Sequence, residues 1–289
     1  MPVGPAGFRP KRRWGQNFLV DPGALQAIAL AFRPALSDAV IEVGPGDGAL
    51  TRRIAPRVGR LTAVEVDPDL AASIRSALPE VRLIEADVLA LDPDALLRDA
   101  GASMEAPARI LGNLPYNIAT AVILRFLTRH DLVRDLMVMV QREVAERILA
   151  APRCKEYGSL TVLCRTFARV ERVRRLRPGS FRPRPKVESE VIHLTLRDPG
   201  GAPGVDPGGY ASFVQDCFGQ RRKTFRNNLA RVLASRGAGD DARALALLEN
   251  AGIEPGGRPE EVPPEGFWRL FEVFRQERSG TLPAPSPPV

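Results

Sequence analysis

The chain lacks the features typical of metal-binding and disulfide-bonded proteins, since it has only three cysteines and two histidines in 289 residues. Cys154, Cys164 and Cys217 have no metal-ligand spacing. Their odd number argues against a disulfide framework and favours a reducing compartment. Neither His130 nor His193 has a cysteine or a carboxylate at ligand spacing, so we expect no metal site.

Long apolar runs are also missing. No segment reaches the roughly 18 apolar residues of a membrane span, and the basic N-terminus has no apolar stretch of the kind found in signal peptides. We therefore expect a cytoplasmic protein. No internal repeat is visible, and only the segments 198–209 and 279–289 are too rich in glycine and proline to hold regular structure.

The composition favours a globular protein with a basic surface. The hydrophobic fraction of 44% and the length of 289 residues allow one full core and a smaller second domain. The formal net charge is +7 and the sequence pI about 9.9. Most of the cations are arginines, whose planar forks suit phosphates and base edges. The charge is consistent with a nucleic-acid partner, although basic proteins without one are common.

A strand, a glycine turn and a helix follow one another between residues 39 and 58. The apolar segment 39–43 leads into Gly44-Pro45-Gly46-Asp47-Gly48, and residues 49–58 have a helical pattern. In this context glycines let the backbone approach a cofactor at the start of a helix. The next two strands end near Glu65 and Asp87, and an acidic side chain at such a position can accept the hydroxyls of a ribose.

The details favour S-adenosylmethionine over a dinucleotide. The glycines are more closely spaced than in G-x-G-x-x-G, Glu42 precedes them, and no basic residue is placed to bind a phosphate. An adenosine joined to an amino acid fits such a turn better. The segment 109–113 would be the fourth strand, and Asn113 at its end would then lie beside the sulfonium methyl group.

The segment Asn113-Leu114-Pro115-Tyr116 combines a carboxamide, a rigid proline and an aromatic ring. These groups suit a flat, hydrogen-bonding substrate such as a nucleobase. The alternative is an ordinary turn before a proline, in which the asparagine bonds its own backbone.

Three basic stretches allow two interpretations each. Residues 11–19 are either a solvated arm or a segment folded over a ligand. The loop 178–186 presents Phe181 either as a platform for base stacking or as part of a local core. Residues 220–228 form either a surface that contacts phosphates or a solvated helix face.

We expect an α/β fold with a Rossmann-like, mostly parallel sheet, followed by a small all-helical domain of three helices. We expect a basic arm at 1–20, a methyltransferase domain at 21–197, a linker at 198–209, a helical RNA-binding or ribosome-binding domain at 210–278, and a disordered tail at 279–289.

Together these segments resemble the KsgA/RsmA family of ribosomal RNA adenine dimethyltransferases, which is related to the Erm and Dim-type enzymes. The resemblance rests on motifs that occur in the family's order: GQNFLVDP, IEVGPGDGALT, VEVDPDL, EADVL, LGNLPYNIAT, KEYGSLTV, FRPRPKVESEV and FGQRRKTFRNNL. It covers nearly the whole chain. No single motif would be specific, but the set is.

The resemblance implies an activity: transfer of two methyl groups from S-adenosylmethionine to N6 of each of two adjacent adenosines near the 3′ end of small-subunit ribosomal RNA. The 30S particle would be the partner, and a monomer is expected without a metal or membrane. The alternatives are an Erm-like enzyme that acts on large-subunit RNA, or an RNA-binding assembly factor without activity.

The resemblance also implies roles for individual residues. The cofactor-binding residues would be Asn17, Leu19, Gly44, Glu65, Asp87 and Asn113. Asn113 would hold the target amino group with a backbone carbonyl of the Leu114-Pro115 turn, and Tyr116 and Phe181 would sandwich the base. The RNA-binding residues would be Arg221, Arg222, Lys223, Arg226, Arg182, Arg184 and Lys186. Ser159 departs from the family, which commonly has arginine there, and Arg182 or Arg184 would substitute for it.

Overall fold

The computed structural model describes residue 11 and residues 14–200, 206–220, 222–235, 237 and 241–278. These residues form two compact units. The first comprises the described residues up to Leu149 together with Phe167–Arg197, and the second comprises Ala150–Thr166 and the described residues from Asp198 onwards. Within this part of the chain no helix combines the length and the apolar character that crossing a bilayer requires.

Nine strands are present among the described residues. They are β1 Phe18–Leu19, β2 Ala39–Val43, β3 Arg60–Glu65, β4 Arg82–Glu85, β5 Ala108–Asn113, β6 Val133–Gln141, β7 Ala168–Leu176, β8 Phe181–Arg182 and β9 Ser189–Leu196.

The α-helices of the same residues follow in chain order. They are α1 Pro22–Phe32, α2 Thr51–Ile54, α3 Pro68–Ala77, α4 Pro93–Asp99, α5 Ala119–Leu127, α6 Arg142–Leu149, α7 Ser159–Phe167, α8 Pro207–Cys217, α9 Phe225–Ser235, α10 Asp241–Asn250 and α11 Pro264–Arg278.

Seven strands form one sheet in the order β4-β3-β2-β5-β6-β9-β7, and β1 pairs with β8 in a separate two-stranded sheet. The strands from β4 to β6 are parallel, whereas β9 is antiparallel to both β6 and β7. The expected mostly parallel sheet is therefore confirmed. In such an open sheet, ligands bind beyond the carboxyl ends of the parallel strands.

Aspartate followed by proline starts four of the helices. Asp21, Asp67, Asp92 and Asp206 each accept a hydrogen bond from a backbone amide of the first helical turn, and each is followed by proline. The side chain satisfies an amide that has no partner within the helix, and proline has no amide to satisfy. This repeated local signal determines where α1, α3, α4 and α8 begin.

The second unit is organised around buried aromatic side chains, among them Tyr210, Phe213 and Phe271. Tyr210 meets Phe271 edge-on at 5.3 Å between ring centroids, and its hydroxyl lies 2.9 Å from Oγ1 of Thr166. The Tyr157 hydroxyl donates to the Val262 carbonyl at 2.7 Å. These contacts join residues 150–166 to the helical unit, whereas the sequence placed them in the domain 21–197.

We expected three helices in this unit, but its described residues from 206 onwards form four, because the segment 210–235 is not a single helix. It is divided into α8 and α9, and Asn228 stabilises the break between them. Its amide nitrogen donates to the carbonyls of Gln220, Lys223 and Thr224, and its Oδ1 accepts from the Gln220 amide. Asn228 is completely buried. Its side chain therefore serves the turn and is not available to bond a phosphate or a sugar.

Candidate active site

One pocket of the first unit lies at the carboxyl ends of β2, β3 and β5, and residues 14–19 before α1 also line it. The predicted cofactor residues Asn17, Leu19, Gly44, Glu65, Asp87 and Asn113 all line this pocket, as do Leu114, Pro115 and Tyr116. Residues that are far apart in the chain converge there because parallel strands end at the same edge of the sheet.

The glycine turn after β2 forms one wall of the pocket. Gly44, Gly46 and Gly48 have φ values of 66°, 61° and 77°, a backbone region that other residues rarely adopt. A Cβ atom on Gly46 would approach the Phe18 ring to 3.0 Å. Glycine at this position therefore allows the arm to close over the turn.

Glu65 is held by the backbone on both sides of its carboxylate. Oε1 accepts from the Asp67 amide at 2.9 Å, and Oε2 accepts from the Gly46 amide at 3.2 Å. Burial raises the pKa of Glu65, while these two amides oppose the shift. The carboxylate is fixed in orientation, and its remaining lone pairs can accept hydrogen bonds from a ligand.

Glu42 is the most strongly perturbed carboxyl group of the pocket. The side chain is 2% exposed, and its Oε2 has no hydrogen-bond partner among the residues that the structure describes. Burial raises the pKa of Glu42 to about 7, and the nearby negative charge of Glu65 adds to the effect. A buried carboxylate without a cation is costly, so this wall of the pocket favours a positively charged ligand.

The lining as a whole is acidic. Glu42, Asp47, Glu65 and Asp87 contribute four carboxyl groups, and the lining includes no lysine or arginine among the described residues. Burial also raises the pKa of Asp47. These residues fit S-adenosylmethionine, whose sulfonium and ammonium groups are cations, better than a ligand with phosphates.

The described part of the arm, residue 11 and residues 14–20, lies over the pocket and is held at the start of α3. The Lys11 ammonium donates to Asp67 and Asp69 at 2.6 Å each, and the Gln16 amide donates to Asp67 at 2.8 Å. Burial opposes the shift, but the hydrogen bonds from Lys11 and Gln16 lower the pKa of Asp67. The described residues of the arm thus follow the second of the two interpretations, a segment that closes over a ligand site.

Asn113 has a defined orientation at the end of β5. Its amide nitrogen donates to the Asn17 carbonyl at 2.8 Å, so its Oδ1 must face away from that carbonyl. The Pro115 carbonyl accepts from the amides of Ile118 and Ala119 at 3.1 Å. Of the two carbonyls in the Leu114-Pro115 turn, that of Leu114 is therefore the better candidate to act with Asn113.

Tyr116 is tied to the antiparallel part of the sheet. Its hydroxyl lies 2.7 Å from Oγ of Ser189, a completely buried residue at the start of β9. Burial raises the pKa of Tyr116, while the bond to Ser189 opposes the shift. The ring is half-buried and lines the pocket, so one face of it is held at a fixed place beside Asn113.

Phe181 requires a correction. The sequence predicted an exposed ring opposite Tyr116, but Phe181 is completely buried, belongs to the hydrophobic core and does not line the pocket. The reason is the pairing of β8 with β1, in which Phe181 lies opposite Leu19. In this conformation the ring packs in the core beneath the loop 178–186, as in the alternative interpretation that Phe181 is part of a local core.

The predicted RNA-binding cations are spread over both units. Arg182, Arg184 and Lys186 are exposed on the first unit, and Arg222 and Lys223 are exposed on the second. Arg226 instead forms an ion pair with Asp241 and is half-buried. Arg221 lies outside the described residues, so its predicted role stays a prediction.

Sequence reasoning missed several residues of the pocket and its supports. Trp14, Gln16 and Phe18 line the pocket, and Lys11 and Ser189 hold its walls. The basic and aromatic composition of the arm was a signal for the first three. No local signal marks Ser189, because its contact with Tyr116 joins segments that are distant in the chain.

Comparisons with known proteins agree with this geometry. The family model for ribosomal RNA adenine dimethylase matches residues 7–275. The ribosomal RNA small subunit methyltransferase A of Acidithiobacillus ferrooxidans is 40% identical over 92% of this chain and 94% of its own length. The protein of the same name from Koribacter versatilis is 38% identical over 92% of this chain and 95% of its own length.

Two solved structures are also similar. A dimethyladenosine transferase from Plasmodium falciparum aligns with a TM-score of 0.74 at 21% identity, over 91% of this chain and 98% of that protein. The 23S rRNA methyltransferase ErmE aligns with a TM-score of 0.65 at 30% identity, over 90% of this chain and 100% of that protein. The first similarity supports the fold alone. By the family model and the relatives together, the chain belongs to the ribosomal RNA adenine dimethylase family and is a methyltransferase that uses S-adenosylmethionine.

Proposed function

We propose that this enzyme transfers two methyl groups to N6 of each of two adjacent adenosines near the 3′ end of small-subunit ribosomal RNA, during assembly of the 30S particle. The observation that supports this most directly is the orientation of Asn113 beside Tyr116 at an acidic pocket. The names of the similar proteins from Acidithiobacillus ferrooxidans and Koribacter versatilis support the small subunit as the substrate.

In the proposed reaction Asn113 acts on the amino group of the target adenine. The N6 lone pair is delocalised into the ring, which makes the nitrogen a poor nucleophile. With its nitrogen fixed on the Asn17 carbonyl, Asn113 can accept one N6 hydrogen through Oδ1, and the Leu114 carbonyl can accept the other. Two such acceptors favour a tetrahedral nitrogen whose lone pair points at the methyl carbon. Orientation of this kind supplies a large share of catalysis in a direct displacement.

Tyr116 provides the stacking surface for the flipped base. A base that leaves its stack costs a few kcal/mol, and stacking on one aromatic ring returns roughly 1–3 kcal/mol. Ser189 fixes the ring through its hydroxyl, so the stacking face is already in place. We assign the second face of the base to no aromatic residue, because Phe181 is part of the core.

The cofactor half of the pocket follows from the carboxylates. S-adenosylmethionine would supply the methyl group: the bond between sulfur and the methyl carbon would break, the electron pair would stay on sulfur in S-adenosylhomocysteine, and the methylated N6 would lose its proton to water after attack. We propose that Glu65 holds the ribose hydroxyls, that Asp87 accepts from the adenine amino group, and that the glycine turn at Gly44 approaches the methionine end. Asn17 and Leu19 close this end from the arm. No step requires a general base before attack, because the conjugate acid of the N6 nitrogen is very acidic.

The proposal also covers the oligomeric state of the enzyme, its location and its contacts with the ribosomal particle. The enzyme would act as a monomer in the cytoplasm, with the helical unit contributing further contacts to the ribosomal particle through Arg222 and Lys223.

An Erm-like reaction on large-subunit RNA is the one competing activity with an observation in its favour, namely the similarity to ErmE.

The test is incubation with tritiated S-adenosylmethionine and either unmethylated 30S or 50S particles, followed by nucleoside analysis. We expect N6,N6-dimethyladenosine from the 30S particle, in an amount that approaches two modified nucleosides for each particle. A matched reaction with Glu65→Ala should lose cofactor binding and methylation together. Label that enters only the 50S particle would contradict the small-subunit assignment.

A further inference from the structure

The strand β7 and the turn that follows it form an unusually basic part of the first unit. Residues 168–188 contain eight cations and two carboxylates, a net charge of +6, whereas the whole chain has +7. We call these cations the basic edge: Arg169, Arg172, Arg174, Arg175, Arg177, Arg182, Arg184 and Lys186. Each is exposed to solvent.

The acidic partners of the basic edge are too few to neutralise it. Arg172 and Arg175 share a single carboxylate, that of the buried Glu190, at 2.6 Å and 3.1 Å. Among the described residues, Arg177 and Lys186 have no ion pair. Most of this positive charge is therefore free to meet an external anion.

The basic edge lies close to the active-site side of the sheet. Among the strands that the structure describes, β7 is the last of the sheet and pairs only with β9. Because β9 is antiparallel to both β6 and β7, the carboxyl ends of β6 and β7 lie at the same edge of the sheet. In the ladder, Leu176 lies opposite Ser189, the residue whose hydroxyl contacts Tyr116. Neighbouring strands are about 4.8 Å apart, so Arg175 and Arg177 are one strand away from the support of Tyr116.

The turn then leads to the rim of the pocket. In the pairing of β1 with β8, Arg182 lies opposite Phe18, and Phe18 lines the pocket. The basic edge thus follows the chain from the outer strand of the sheet to the wall of the pocket. A strand of RNA whose base enters the pocket would pass its neighbouring phosphates along such a surface.

Protection of a sheet edge is the other known use of cations on an outer strand, because charge discourages pairing between edges of two molecules. A few charges are enough for that purpose, and they need not continue into the turn beside the pocket. Edge protection predicts aggregation when the cations are removed and leaves RNA binding unchanged.

We infer that the basic edge binds the phosphate backbone of the RNA strand that carries the target adenosine, on the β7 side of the pocket. This inference rests on the proposed function. Within the basic edge, sequence motifs had predicted RNA binding only for the cations of the turn, Arg182, Arg184 and Lys186. The inference adds the arginines of β7 and Arg177. Arginine suits this task because its guanidinium bonds two phosphate oxygens at once, and such contacts position RNA without reading its sequence.

The experiment replaces Arg174 and Arg177 with glutamine in the full-length protein and leaves the pair that holds Glu190 in place. The matched control is Arg57→Gln with Arg75→Gln, two exposed cations beside β3 and β4 at the opposite end of the sheet. Binding to a 20-nucleotide oligoadenylate is measured at five salt concentrations. Methylation of unmethylated 30S particles is measured as kcat and KM, and binding of S-adenosylmethionine is measured separately.

We expect the slope of log affinity against log salt to fall by about 1.4 for the loss of two phosphate contacts to a single strand, with RNA binding roughly tenfold weaker near 0.15 M salt. KM for 30S particles should rise, while kcat and cofactor affinity stay as in the unmodified protein. An unchanged slope, an equal effect in the control variant, or aggregation without weaker RNA binding would overturn the inference. If the unmodified protein fails to methylate 30S particles while the slope still falls, the proposed function fails and the RNA surface stands.

Discussion

The parallel strands of the central sheet begin at one side, which we call the amino edge, and end at the other, which we call the carboxyl edge. Among the described residues, buried charges form ion pairs at the amino edge, whereas the carboxylates that line the pocket at the carboxyl edge do not. At the amino edge, Arg109 is buried between Asp38 and Asp135, at 2.9 Å and 2.7 Å, and its guanidinium lies 3.8 Å from the centroid of the Phe32 ring. His193 completes this cluster at 2.8 Å from Asp135. At the carboxyl edge, Glu42 lines the pocket with three other carboxyl groups, and the described lining includes no lysine or arginine. Arg52 lowers the pKa of Glu42 only from outside the lining, and burial outweighs its effect.

This difference in charge pairing indicates that the ligand binds at the carboxyl edge. A buried charge is tolerated when it is paired, and the amino edge pairs each of its buried charges internally. At the carboxyl edge the carboxylates can pair with an external cation. Until that cation binds, their burial destabilises the folded protein. Substitutions at the two edges should therefore have opposite effects on stability and on binding.

The largest effect should follow from Arg109→Met. Removal of the guanidinium leaves Asp38 and Asp135 buried without their cation, and breaking such a pair costs about 3–5 kcal/mol of unfolding free energy. Urea unfolding of the first unit, followed by a probe in the sheet, measures this loss. The variant that remains folded should bind S-adenosylmethionine normally. A loss below 1 kcal/mol would mean that the amino-edge cluster does not stabilise the sheet.

Asn113→Ala should lower kcat by about 10²–10³-fold, the range seen when one oriented hydrogen-bonding group is removed from a transition state. Cofactor affinity should stay within about tenfold, because the pocket walls from β2 and β3 are intact. Single-turnover methylation of 30S particles measures the effect, and Asn250→Ala on the exposed end of α10 serves as the matched control. Full activity in Asn113→Ala would contradict the mechanism.

Glu42→Gln should stabilise the free enzyme at alkaline pH. The folded pKa is about 7, above the ordinary value of 4.5, so the folded state holds this proton more tightly than the unfolded state. The stabilising contribution is complete below pH 4.5 and is lost as pH rises to 7. Two and a half units correspond to about 3 kcal/mol. Unfolding free energies of both proteins from pH 5 to 8 should diverge with rising pH, and a constant difference would exclude a raised pKa.

Ser189→Ala should have the smallest effect, a loss of about five- to tenfold in kcat/KM, because one hydrogen bond to the Tyr116 hydroxyl is worth about 1 kcal/mol. Tyr116→Phe should lose a similar amount. The double variant should lose no more than either single one, since both remove the same bond. Additive losses would show that Ser189 does not position the ring.

The sequence predicted the part of the site that depends on the ends of strands. Asn113, Glu65 and Asp87 line the pocket, and sequence could place them there because an apolar run followed by a polar residue locates the end of a parallel strand. Their roles stay predictions. Phe181 was placed wrongly because its burial depends on β1, a strand of two residues formed with a distant segment. Residues 150–166 and Asn228 show the same limit, since long-range contacts decide where they pack.

The most direct test of the contrast between the edges is the proton balance of cofactor binding at pH 7, measured by calorimetry in two buffers with different ionisation enthalpies. Burial raises the pKa of Glu42 to about 7, and a cation in the pocket must lower this pKa. We predict that the unmodified enzyme releases more protons than Glu42→Gln when S-adenosylmethionine binds. Equal proton release in the two proteins would contradict the claim that the carboxyl edge keeps its buried charge for a cationic cofactor.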